Sequence, residues 1–177
     1  MNATNEPSQQ EPSTKISQIK SLRGQLPPLH FDPLIDSKVF TTSEGRAYQE
    51  FYPLRCAEHI RRGLGALNLQ GFSIAIHYFI PESATTTLVV AHGLYDHIGI
   101  YHQAIRWALE AGIAVVAFDL PGHGLSDGDE VAIDSFDIYT DILADVINAV
   151  LAQPLLFPTP VNGLGQSTGS AIWLNLL

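Results

Sequence analysis

Between Phe72 and Leu177 the chain carries four short apolar runs, with three stretches of helical spacing among them. "FSIAIHYFI" is β-branched and aromatic and stops at Pro81, so it reads as a strand. "TTTLVVAHG" and the run Ile113 to Phe118 are apolar on both faces, and "VNGLGQ" reads as one more short strand. Continuous apolar runs suit strands covered on both sides, as in a parallel sheet. Between Ile98 and Ala111, Tyr101, Ile105, Ala108 and Leu109 share one helical face, and Gly112 is placed to end that helix in a left-handed conformation. From about Ser135 to Leu151, Phe136, Tyr139, Leu143, Val146 and Val150 make an apolar stripe. Asp134 and Asp137 sit at its start, where the helix dipole favours negative charge. "TGSAIWLNLL" opens a third helix. Strand and helix alternate throughout, which predicts an α/β fold: a mostly parallel sheet flanked by helices, with right-handed crossovers.

Upstream of Phe72 the signals are weaker. Residues 1–35 are rich in Ser, Thr, Gln, Asn, Glu and Pro and read as a flexible polar arm, with "PPLHFDP" as a linker. Residues 36–71 read as an N-terminal extension with a short helix near Ala57 to Leu67. The formal net charge is −9, and Arg106 is the only Lys or Arg after Arg62. Such a chain repels phosphate backbones, so a nucleic-acid partner is not expected. Cys56 is the single cysteine, which rules out an intrachain disulfide and a Cys-rich zinc site. The polar N-terminus lacks an apolar signal core, and no stretch is long enough to span a bilayer. A cytoplasmic protein without an integral membrane segment is the expectation.

Three motifs sit at the ends of the predicted strands. Gly165-Gln166-Ser167-Thr168-Gly169 is a G-x-S-x-G, whose logic is a strand turning sharply into a helix with the serine at the tip. Gly165 and Gly169 are needed because side chains there would collide in the turn. The Thr168 amide, in the first turn of the helix, lacks an intrahelical partner and is free to donate to an oxyanion. The competing reading is a structural strand-to-helix turn. His92-Gly93-Leu94-Tyr95-Asp96-His97 follows a buried strand. Gly93 lets the chain bend close, His92 is expected to brace the loop, and the Leu94 amide is the candidate second oxyanion donor. The same stretch matches the metal motif H-x-H-x-D-H except that Leu94 stands at the second histidine, and leucine cannot ligate zinc. Asp119-Leu120-Pro121-Gly122-His123-Gly124-Leu125-Ser126 follows the next strand and is read as structural.

In this order and spacing the motifs resemble those of the α/β-hydrolases, and more narrowly the monoglyceride lipase, lysophospholipase and serine aminopeptidase-like group. The matching pieces are "HGLYDHIGIY", "AVVAFDLPGHGLSDG", "SFDIYTDILADV" and "GLGQSTG". The resemblance covers residues 72–177, and it departs at Ser170, where many relatives have a second glycine. It implies a serine hydrolase of carboxylic esters, with Ser167 as nucleophile and Leu94 and Thr168 giving the oxyanion amides. The implied substrate is a small, lipid-like ester, and no metal or organic cofactor is implied. The family's triad runs Ser, then Asp or Glu, then His. The chain stops inside the helix after Ser167, so the expectation is an N-terminal part of the hydrolase fold. Later strands, the lid and the catalytic acid and base would lie outside it. The alternatives are an aminopeptidase or amide hydrolase, a non-catalytic hydrolase-like module or remnant, and a metal-dependent hydrolase.

Overall fold

The computed structural model describes residues 12–177 apart from Arg55. Five strands form one mixed sheet: β1 (Arg61–Leu69), β2 (Phe72–Ile80), β3 (Thr86–Ala91), β4 (Ile113–Phe118) and β5 (Val161–Gly165). Their spatial order is β1-β2-β4-β3-β5. β3 runs parallel to both β4 and β5, whereas β2 is antiparallel to both β1 and β4. The parallel character expected from the sequence therefore belongs to the β4-β3-β5 half. The other half is antiparallel because only Gln70 and Gly71 join β1 to β2. Both have positive φ (50° and 82°), as a two-residue hairpin turn requires.

Each strand feeds two cores by alternation. On one face lie Ile74, Ile76 and Tyr78 of β2, Val89 and Ala91 of β3, and Val116 and Phe118 of β4. They are covered by helix α5 (Phe136–Leu151), whose Ile142, Leu143, Val146 and Val150 are fully buried, and by Ile172 of helix α6 (Thr168–Leu176). On the other face Ala75, Phe79, Val90, Val115 and Ala117 meet residues of helices α1 (Pro12–Arg23), α3 (Ser43–Phe51) and α4 (His102–Glu110). Helix α2 (Pro33–Asp36) is a single turn capped by Asp32, whose side chain accepts from the Leu34 amide. Burial on both faces is why β2, β3 and β4 read as unbroken apolar runs.

Two upstream expectations are corrected. The segment near Ala57 to Leu67 is strand β1 from Arg61 onward, not a helix. Its glycines mark close approach rather than a turn: a Cβ at Gly63 would strike the Tyr78 ring, and one at Gly65 would lie 2.9 Å from the Leu29 Cα. The flexible arm expected over residues 1–35 is not seen from Pro12 onward; residues 1–11 lie outside the described residues. Leu22 and Leu29 are buried, and Arg23 donates to the carbonyls of Ser126 (2.7 Å) and Gly128 (3.1 Å). The "PPLHFDP" stretch bonds to β1 through Leu29 N–H to Ala66 O (2.9 Å) and Ala66 N–H to Pro27 O (2.8 Å). Asp36, buried, accepts from the amides of His30 and Asp32 and from the Tyr78 hydroxyl (3.0, 3.0 and 2.9 Å).

Among the buried polar groups left without a partner, His77 lies deepest in the sheet. His77 of β2 is fully buried, with Nε2 3.5 Å from the Tyr48 hydroxyl and Nδ1 without a partner among the described residues. Burial pulls its pKa down from 6.5 to about 4. The unfolded chain therefore takes up the proton first as pH falls, and the neutral imidazole's contribution is intact above about pH 6.5 and lost toward pH 4. At pH 5 that loss amounts to roughly 2 kcal/mol. Thermal unfolding of wild type and His77→Phe at pH 7 and pH 5 tests this. The wild type should lose clearly more Tm over that interval; equal losses would contradict the assignment.

Candidate active site

The parallel strands β3, β4 and β5 end at one edge of the sheet, and the three motifs form the loops there. β5 ends at Gly165 and α6 begins at Thr168, which leaves two residues for the whole reversal. Ser167 takes φ 51° and ψ −113°, a left-handed conformation that side chains rarely adopt. Such a backbone stores of order 1–3 kcal/mol and persists only where its surroundings over-determine it. The surroundings are visible on both sides. A Cβ at Gly165 would sit 2.6 Å from the Ser170 nitrogen, and one at Gly169 would land on the Ala91 carbonyl and 2.8 Å from the His92 carbonyl oxygen. The Gln166 amide donates to Ala91 O (3.2 Å), which stitches the turn to the end of β3. Ser170, the departure from the family pattern, donates its hydroxyl to Gly165 O (2.8 Å) and fastens the first turn of α6 back to the strand.

The outcome is an exposed Ser167 at the N-terminal end of α6. Its side chain makes no capping hydrogen bond. Thr168, the first residue of α6, has an amide with no intrahelical acceptor. Across the turn stands the His92–His97 loop. Gly93 is close enough to the elbow that a Cβ there would overlap the Gln166 side-chain tip. The Leu94 amide has no hydrogen-bond acceptor among the described residues. Two amides without acceptors among the described residues, Leu94 and Thr168, thus belong to the two loops that meet beside Ser167.

The loop is held by three side chains. His92 is fully buried; its Nδ1–H donates to Gly93 O (2.7 Å) and its Nε2 accepts from the Leu120 amide (2.9 Å). Burial lowers its pKa, so the imidazole is neutral and both nitrogens are occupied by backbone. Asp119, fully buried, accepts from the amides of Ile98 and Leu125 (both 2.8 Å) and so ties the His92–His97 loop to the loop after β4. Tyr101 was read from the sequence only as part of an apolar stripe. Its hydroxyl accepts from the Gly93 amide (3.2 Å), donates to Asp96 Oδ2 (3.0 Å) and lies 3.4 Å from Gln166 Oε1. Burial, with the Asp96 carboxylate beside it, pushes its pKa up to about 12. The Tyr101 hydroxyl thus meets groups of both loops, a long-range property that sequence spacing does not carry.

Among the described residues no histidine hydrogen-bonds Ser167. His97 caps the following 3₁₀ turn, its Nδ1 accepting from the Gly99 amide (3.1 Å). His123 donates from Nδ1 to Pro121 O (2.8 Å), and its buried Nε2 has no partner among the described residues. The metal reading of "HGLYDH" also fails on geometry, because both ring nitrogens of His92 are spent on backbone groups.

Residues 82–177 match the family described as serine aminopeptidase S33. The chain belongs to that family, within the α/β-hydrolase superfamily. Among curated relatives of this S33 chain, human monoglyceride lipase is 31% identical over 108 residues, covering 60% of this chain and 35% of that protein. A monkeypox virus monoglyceride lipase homologue is 34% identical over 107 residues, covering 59% and 38%. The chain therefore spans little more than a third of the length of these relatives. Among solved structures, a cold-adapted esterase from an Arctic intertidal metagenomic library superposes with TM-score 0.54 at 22% identity, covering 69% of this chain and 57% of that one. The 2,6-dihydroxy-pseudo-oxynicotine hydrolase gives TM-score 0.56 at 20% identity, covering 75% and 37%. These structural likenesses establish the α/β-hydrolase fold.

The strain at Ser167 is measurable. Ala shares serine's aversion to positive φ, whereas Gly does not. Ser167→Gly should therefore be more stable than Ser167→Ala by about 1 kcal/mol in denaturant unfolding, after allowing for glycine's extra unfolded-state entropy. Equal stability, or a less stable glycine variant, would show that the residue is not held at positive φ.

Proposed function

We propose that this chain carries the nucleophile half of a serine hydrolase acting on carboxylic esters of the monoacylglycerol or lysophospholipid type. The observation that carries the reading is the strained, exposed Ser167 at the N-terminal end of α6, beside the loop that begins at His92; the Leu94 and Thr168 amides, without acceptors among the described residues, are its candidate oxyanion donors. In the proposed reaction the Ser167 hydroxyl attacks the ester carbonyl and gives its proton to a base. The carbonyl oxygen gains negative charge and is held by the two amides and the positive end of α6. Collapse releases the alcohol and leaves an acyl-enzyme, which water then hydrolyses.

No described histidine is assigned as the base: both ring nitrogens of His92 are bonded to backbone groups, and no described histidine hydrogen-bonds Ser167. The family description favours one second reading, an aminopeptidase acting through the same acyl-enzyme.

A fluorophosphonate probe tests the reading. In a protein extended past Leu177 to the length of the relatives, Ser167 should be labelled and hydrolyse a monoacylglycerol, and Ser167→Ala should lose both. The 177-residue chain should label far more slowly. Labelling that survives Ser167→Ala would refute the assignment, and peptide cleavage without ester cleavage would select the aminopeptidase.

A further inference from the structure

Helix α1 lies outside residues 82–177, the part of the chain that matches the family, yet its last turn is joined to the loop after β4. Arg23 donates from Nε to Ser126 O (2.7 Å) and from Nη2 to Gly128 O (3.1 Å). Neither carbonyl accepts another hydrogen bond among the described residues. The segment they belong to needs such a hold. From Asp119 to Val131 it contains no helix or strand, and Gly122, Gly124, Gly128 and Val131 all have positive φ. At Val131, a β-branched residue, that conformation is strained.

From Ser126 the connection runs on to the His92–His97 loop. The Ser126 hydroxyl donates to Asp119 O (2.6 Å), and the neighbouring Leu125 amide donates to Asp119 Oδ2 (2.8 Å). The other carboxylate oxygen, Oδ1, accepts from the amide of Ile98, the residue at which the loop closes (2.8 Å). A second link is apolar. Leu22, next to Arg23, is buried in the same core cluster as Leu125 and Ile98. The loop itself is open at its tip. Tyr101 holds Gly93 and Asp96, but between them Leu94 is 42% and Tyr95 79% exposed, and Tyr95 takes φ 64°. A strained tip keeps its shape only while its ends are fixed. His92 fixes the first end and Asp119 the second.

We propose that Arg23 is a positioning residue for the loop that carries the Leu94 amide. It fixes the Ser126 peptide, which helps to fix Asp119, which fixes the end of that loop. The catalytic consequence rests on the reading of Leu94 as an oxyanion donor to a substrate at Ser167. Arg23 touches no reacting atom. Its loss acts where the oxyanion forms, in the transition state, more than on substrate binding.

Residue-resolved hydrogen exchange of the 177-residue chain reads the positioning without any catalysis. In Arg23→Gln the Ile98 and Leu125 amides should exchange about tenfold faster than in the wild type, while those of Ile142 to Val146 in α5 stay within about twofold. In the protein extended past Leu177, the same variant should lower kcat on a monoacylglycerol about tenfold and leave KM within about twofold. Arg23→Lys, which offers a point charge in place of a planar fork, should show the same pattern at smaller amplitude. Unchanged exchange at Ile98 and Leu125 would overturn the proposal. So would a rise spread evenly into α5, the mark of general destabilisation, or an unchanged kcat in an active enzyme. Should Arg23→Gln fail to fold, Arg23→Lys decides by the same readings. If exchange responds as expected but the extended wild type neither labels at Ser167 nor cleaves ester, the positioning of the loop by Arg23 stands and the hydrolase reading alone fails.

Discussion

The contact on which the site depends is the packing of the first turn of α6 against the backbone that leaves β3. Gly169 lies so close to the carbonyls of Ala91 and His92 that no side chain fits between. This contact fixes where the helix begins and leaves Ser167 no option but positive φ. It also sets the distance from the elbow to the Gly93–Leu94 loop. The parallel pairing of β3 with β4 and β5 makes the contact possible, since it brings three strand ends to one edge. A strained residue there needs a rigid frame, and the two fully buried faces of β3 and β4 supply it.

The loop facing the elbow is rigid for a different reason. His92 and Asp119 are both fully buried, and each is matched to backbone amides or carbonyls. Removing either would strand buried polar groups, at a cost near the upper range for a lost hydrogen bond. Tyr101 extends this network to Gln166, so loop and elbow are linked by side chains as well as by backbone packing. Burial holds His92 neutral, and burial with the Asp96 carboxylate alongside holds the Tyr101 phenol protonated.

Much of this was legible in the sequence. β2 to β5 and helices α4 to α6 declare themselves because each pairs a regular pattern with a clear stop: Pro81, Gly112, or the glycines around Ser167. The elbow was legible because its glycines serve local sterics. What stayed hidden depends on distant partners. β1 contains Gly63 and Gly65, which look like turn residues until the Tyr78 ring and the Leu29 backbone occupy the space beside them. The N-terminal segment looks like a polar arm because its attachment uses few groups. Arg23 reaches carbonyls about a hundred residues away, and Asp36 collects amides and the Tyr78 hydroxyl. The antiparallel half of the sheet follows from a two-residue turn, Gln70-Gly71, that composition alone does not flag.

We propose that a strand and a helix present the Ser167 hydroxyl between the amides of Leu94 and Thr168. A crystal structure of the protein after reaction with a fluorophosphonate measures this directly. The account predicts phosphorus bonded to Ser167 Oγ, with one phosphonyl oxygen about 2.7–3.1 Å from both amide nitrogens. A phosphonyl oxygen turned to solvent, or an adduct on any other residue, would contradict it.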